Sequence, residues 1–149
     1  MPPVSPAPLA DGDGLHWIDV PDHGARSGAL FRAEVSASVQ GLRLVGDVDA
    51  PEASALVSTA TEVLDAGVDV VVDLRGVTFL GSRGISALIR VHQLAVARGR
   101  HVRVVVDRSD HVVMRPLTLT EVDATLDLVS SLDGAPESAP ESVAEDTDG

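Results

Sequence analysis

The chain contains no cysteine, which excludes disulfides and thiolate metal sites. It also lacks lysine, asparagine and tyrosine, a joint absence that GC-rich codon usage produces. Without lysine there is no P-loop, because that motif needs an ammonium on the nucleotide phosphates. A receiver-type phosphoaspartate at Asp73 is a poor reading for the same reason, since no lysine is available to face the phosphate. Aromatic residues are only 2 % of the sequence, so the core must be built from Val, Leu, Ile and Ala. No apolar run approaches the ~20 residues that a helix needs to cross a bilayer. The opening MPPVSPAPLA has neither the basic start nor the apolar centre of a signal peptide. A cytoplasmic location is expected.

What is present is enough for one domain: 149 residues, 44 % of them apolar. The formal charge is −12, and the stretch from Leu132 to Gly149 holds six acids and no base. Such a chain repels nucleic acid and anionic lipid, so neither is an expected partner. Residues 1–30 are rich in Pro, Gly, Asp and Ala and read as a flexible arm. Within it Leu15-His16-Trp17-Ile18, with the only Trp, is either a partly ordered piece of tail or a short strand or docking anchor. Residues 31–131 read as the folded domain and 132–149 as an acidic, disordered tail.

Within the domain, Phe31, Ala33 and Val35 alternate with polar residues, as in a half-buried strand. Gln40-Gly41 is a turn signal before a second strand over Leu42 to Gly46. Asp49 is an N-cap candidate, with Glu52 completing a capping-box pattern. The helix that follows carries Ala53, Leu56, Val57, Ala60, Val63 and Leu64 at helical spacing and stops at Gly67. Val68 to Leu74 is a strand covered on both faces, broken only by Asp69 and Asp73. A second helix starts at Ser82, with Ile85, Leu88, Ile89, His92, Ala95 and Val96 as its inner stripe. A strand over Val102 to Val106 follows. A short helix capped by Asp107 or Ser109 and ended by Pro116 comes next, and a strand over Thr125 to Val129 closes the pattern. The order ββαβαβαβ predicts an α/β domain with a four- to five-stranded, mostly parallel mixed sheet and helices packed against it.

The most informative stretch is VVDLRGVTFLGSRGIS, residues 71–86. A strand ends, a short loop carries Thr78 and Phe79, and Gly81-Ser82-Arg83-Gly84 opens a helix. Ser82 therefore sits where backbone N–H groups are unpaired and the helix dipole favours negative charge. Its hydroxyl is either an N-cap or a phosphoacceptor, and the two roles are compatible. Asp47 and Asp49 are partner contacts, or a cap and its neighbour. Gly84 either admits a partner closely or relieves crowding in the first helical turn. Asp11-Gly12-Asp13-Gly14 starts like a calcium loop, but the positions requiring Gly and Glu hold His16 and Asp22. The five histidines show no ligand spacing, and no Ser/His/Asp order marks a nucleophile. No catalysis, cofactor or metal is expected.

Three segments carry a family resemblance that covers about two-thirds of the chain. Leu42 to Asp49 resembles the second strand and G-E-L-D ending of the STAS domain of anti-sigma factor antagonists. Val71 to Phe79 resembles that family's central strand, and Gly81 to Ile85 its D-S-S-G-L segment. The resemblance implies a partner-switching regulator. Its partners would be an anti-sigma factor that is a serine kinase of the histidine-kinase-like ATPase class, and a phosphatase. The phosphoacceptor would be Ser82, with Asp47, Asp49, Thr78, Gly81, Arg83 and Gly84 on the partner-binding rim. Two positions depart from the pattern. The family's Asp is Gly81 here, and its second Ser is Arg83, whose guanidinium could hold a phosphoserine or an acid on the partner. Alternatives are a constitutive STAS scaffold, for example a homodimer, and a small-ligand sensor, which has no motif in its favour.

Overall fold

The computed structural model describes residues 15–20 and 28–132. The remainder of the expected arm and of the acidic tail, with the rejected calcium-loop segment, lies outside the described residues. The elements are β1 (Ile18–Asp19), β2 (Gly28–Ser36), β3 (Val39–Val48), α1 (Ala50–Asp65), β4 (Asp69–Leu80), α2 (Ser82–Ala97), β5 (Val102–Val105), α3 (His111–Leu119) and β6 (Asp127–Val129), with a single 3₁₀ turn at Val122–Ala124. The six strands form one mixed sheet in the order β1-β2-β3-β4-β5-β6. The pairs β1–β2 and β2–β3 are antiparallel, and β3 to β6 run parallel. The expected α/β sheet is present, with one strand more than its upper count.

Each crossover from β3 onward steps to the next strand in the same direction. Right-handed connections then place every helix on the same face. The packing agrees: Leu44, Val72 and Val104 of the sheet share one apolar cluster with Leu56 of α1, Leu88 and Val91 of α2 and Leu117 of α3. Complete burial of such a side chain contributes about 1.5–3 kcal/mol. The opposite face holds a smaller cluster of Val39, Val71, Val105 and Leu132, with Leu15 and Trp17 packed against it.

Several local expectations needed correction. The hairpin turn falls at Ala37–Ser38, not at Gln40-Gly41. Gly41 lies inside β3, where a Cβ would come within 3.0 Å of the Trp17 ring and 3.1 Å of a Val35 methyl. Leu15-His16-Trp17-Ile18 is no loose tail, since β1 pairs Ile18 with Arg32 and Asp19 with Phe31. β2 starts at Gly28, where the backbone N–H donates to buried Glu52 at 3.0 Å. On α2 the buried stripe is Gly84, Ile85, Ala87, Leu88, Val91 and Ala95, whereas Val96 is 64 % exposed. The N-cap of α3 is Asp110, whose carboxylate accepts from Val112 N–H at 3.0 Å. Asp107 instead closes its own turn, accepting from the Ser109 N–H and hydroxyl at 3.0 and 2.6 Å. Pro116 sits within α3 without ending it. The lost i→i−4 bond is offset by complete burial of Leu117 one residue later.

The start of α1 follows the sequence pattern. Asp49 is its N-cap, the Glu52 carboxylate accepts from Asp49 N–H at 3.0 Å, and a proline occupies the first turn. Gly67, with φ +80°, takes the left-handed conformation just past its end.

Candidate functional site

Four parallel strands deliver their C-terminal ends to one rim, where α1 and α2 begin. β4 is longer than the expected strand and runs to Leu80. Thr78 and Phe79 therefore lie on a strand, not in a loop. Along the β3–β4 pair the register is Arg43↔Asp73, then Val45↔Gly76, then Asp47↔Phe79, so β4 gains an extra residue twice. Each irregularity re-aims the strand. The result brings Thr78 beside Asp47, and its Oγ1 donates to Asp47 Oδ1 at 2.7 Å.

Gly81 is the N-cap of α2 and Ser82 the first helical residue. Gly81 N–H donates to the Val48 carbonyl at 3.2 Å, which seats the helix start on the end of β3. A Cβ at Gly81 would sit 3.0 Å from the Phe79 ring, so the missing family aspartate leaves room that Phe79 uses. Ser82 and Arg83 are exposed. The hydroxyl of Ser82 thus stands on the accessible surface at a helix N-terminus. Asp49 is exposed and Asp47 half-buried on the β3 side. Phe79, 52 % exposed beside them, is a rim residue that the motif comparison did not single out. The signal was present in its position between Thr78 and Gly81.

Gly84 is placed differently from expectation. It is buried, and a Cβ would come within 2.7 Å of Leu80 and 2.9 Å of Val48. The glycine lets α2 approach the ends of β3 and β4, and it faces inward, away from a partner. The structure therefore unites Asp47, Thr78, Gly81, Ser82 and Arg83 with the Asp49 cap at one rim and removes Gly84 from its surface.

Beneath the rim lies an ionic knot. Asp73 and Arg43 are both fully buried. Arg43 Nε and Nη2 reach Asp73 Oδ2 at 2.9 and 2.8 Å. Arg75 donates from its backbone N–H and Nε to Oδ1, each at 3.0 Å, and from Nη2 to Oδ2 at 2.9 Å. The Arg43 guanidinium also stacks on Trp17, 4.1 Å from the ring centroid. Asp73 is thereby a structural anion whose oxygens are already engaged. Between α1 and α2, next to Ser82, runs a groove of about 620 Å³. Among the described residues no group of three or more His, Asp or Glu side chains is arranged to hold a metal ion. No helix among them is long and apolar enough to cross a membrane.

A six-stranded mixed sheet with three helices on one side, the second of which begins at Ser82 on its rim, makes a small α/β domain of the STAS fold. Residues 31–130 match the family model described as "Mlab, STAS domain", and the chain belongs to the STAS-domain family. Solved structures share the fold. An anti-sigma factor antagonist from Mycobacterium paratuberculosis superposes with a TM-score of 0.59 at 24 % identity, covering 85 % of this chain and 95 % of that one. A Thermotoga maritima protein assigned provisionally to the same class gives 0.61 at 16 % identity, over 68 % of this chain and 87 % of that one. The anti-sigma factor antagonist SpoIIAA in its unphosphorylated form gives 0.56 at 13 % identity, over 69 % and 89 %. Comparison with curated protein sequences finds no significant match.

Proposed function

We propose that this chain is an anti-sigma factor antagonist that works by partner switching. Its unphosphorylated rim binds an anti-sigma factor of the serine-kinase type, and phosphorylation of Ser82 by that partner breaks the contact. A phosphatase restores it. The observation that carries this reading is the placement of Ser82: exposed, first in α2, on the rim of a rigid βα corner. The solved relatives named as anti-sigma factor antagonists support the same direction.

The physics suits a switch. Exposed Phe79 offers an apolar anchor, and Asp47, Asp49 and Arg83 offer charged contacts around it. A phosphate at Ser82 adds a charge of about −1.5 to −2 in the middle of a surface that must be desolvated on binding. Arg83, adjacent in sequence, is available to pair with that phosphate. The role is regulatory binding without catalysis by this chain.

The test is a pull-down with wild-type, Ser82→Ala and Ser82→Glu proteins, together with mass spectrometry after incubation with the captured kinase and ATP. Phosphate on Ser82 and loss of binding by Ser82→Glu are expected. No phosphate on Ser82, with undiminished binding by both variants, would overturn the switch and leave a constitutive docking module, the reading favoured by Gly81 and Arg83 at the family's acidic and serine positions.

A further inference from the structure

We infer that the groove between α1 and α2 is the docking site for this chain's own acidic segment, residues 133–149, held through Arg83 and Arg90. Ser54 and Val57 of α1 line it on one side, and Ser82, Arg83, Ser86 and Arg90 of α2 on the other. No acid lines it, although the chain as a whole carries −12. Arg83 and Arg90 are exposed and form no ion pair with any described residue. Arg98, Arg100 and Arg103, by contrast, are paired with Asp65, Asp69 and Asp127. The groove is thus a cationic, serine-rimmed surface with unengaged guanidinium groups.

Spacing adds a second argument. Arg83 and Arg90 are seven residues apart on one helix, two turns, or about 10.5 Å along the axis. The acidic segment contains A-P-E-S twice in succession, at residues 135–142, which sets Glu137 and Glu141 four residues apart. Four residues of extended chain span at most about 13 Å, so the two carboxylates can meet the two guanidinium groups together. The prolines in each repeat lower the entropy lost on ordering. Leu132 packs on the face of the sheet opposite the helices, so the segment must round the β6 edge to reach the groove; the nine residues from Leu132 to Glu141 extend up to about 30 Å for that path. Arg108, another exposed arginine, lies between Asp107 and Asp110 in sequence, which cancel much of its field.

The regulatory meaning rests on the reading of Ser82 as the switch, since a phosphate there would compete for the same guanidinium groups. The docking itself does not need that reading. Because the chain lacks cysteine, Ser142→Cys in the 149-residue chain supplies a unique site for a nitroxide label. Amide signals of the isotope-labelled protein are then measured with no kinase or partner present. Broadening of the Ser54, Ser86 and Arg90 amides is expected at low salt. It should disappear in 0.5 M NaCl and in the Arg83→Gln/Arg90→Gln double variant, because screening removes exposed pairing. Broadening that centres on α3, is absent, or survives the double variant would overturn the inference. Broadening seen equally when label and isotope are on different molecules would assign the groove to a second copy and overturn it too. Partner pull-downs are read separately, so loss of either conclusion leaves the other standing.

Discussion

Thr78 Oγ1 donates to Asp47 Oδ1 at 2.7 Å, joining the ends of two neighbouring parallel strands across 31 residues of sequence. The bond fixes the orientation of a half-buried carboxylate at the rim. Thr78→Val keeps the shape and removes the donor. It should cost about 1 kcal/mol in chemical denaturation and weaken capture of the proposed anti-sigma partner. Asp47→Asn keeps an acceptor for Thr78 and removes the charge. It should leave stability nearly unchanged while still weakening capture, which separates position from charge.

Asp73 is the counter-ion of a fully buried arginine, with Arg75 as its second partner. Asp73→Ala takes the carboxylate counter-ion away from Arg43 in the interior, so unfolding free energy should fall by about 3–5 kcal/mol. Urea titration followed by circular dichroism measures it. The same variant should retain whatever phosphate is transferred to Ser82, because Asp73 serves packing beneath the site.

Glu52 ties two elements together. One carboxylate oxygen accepts from Asp49 N–H and the other from Gly28 N–H, each at 3.0 Å. Glu52→Gln is nearly isosteric but presents an NH₂ group to one of those donors. A loss of about 1–3 kcal/mol is expected from the buried N–H left unpaired. Amide hydrogen exchange should quicken at both ends, the start of β2 and the start of α1.

Asp107 makes the fold's stability depend on pH in the acid range. Hydrogen bonds from the Ser109 hydroxyl and backbone N–H hold its carboxyl below the ordinary value of 3.8. A lowered folded-state pKa stabilises the fold above the unfolded value, and that contribution is lost as pH falls through the folded value. Ser109→Ala removes the largest cause, so the carboxyl should titrate closer to 3.8 by NMR. The stability gap between the variant and wild type should close below that pH.

Much of the architecture was legible in the residues because local signals agreed with the global packing. The Asp49–Glu52 box and Gly67 are set by contacts within a few residues, and each stands where the pattern put it; α2 begins at Ser82 as expected, but Gly81, not the Ser82 hydroxyl, is its N-cap. The misplaced features depend on partners far away in sequence. Gly41 reads as a turn residue until Trp17 is known to lie over it. Gly84 reads as a surface glycine until Val48 and Leu80 are seen against it. Thr78 and Phe79 read as loop because Gly76 interrupts the apolar run, and only the shifted register with β3 carries the strand through them. The value of the rim came from residue type, whereas the Thr78–Asp47 bond and the exposed Phe79 required the sheet.

Trp17 stacks on the guanidinium of Arg43. The sole indole of this protein sits across the sheet from α1 and α2, over a charged pair that forms only when β3 and β4 are aligned. Its native emission is therefore an inbuilt gauge of whether the scaffold is assembled. It should stay dark to events at the far side of the sheet, so a titrant that changes it has disturbed the framework and not merely occupied the rim.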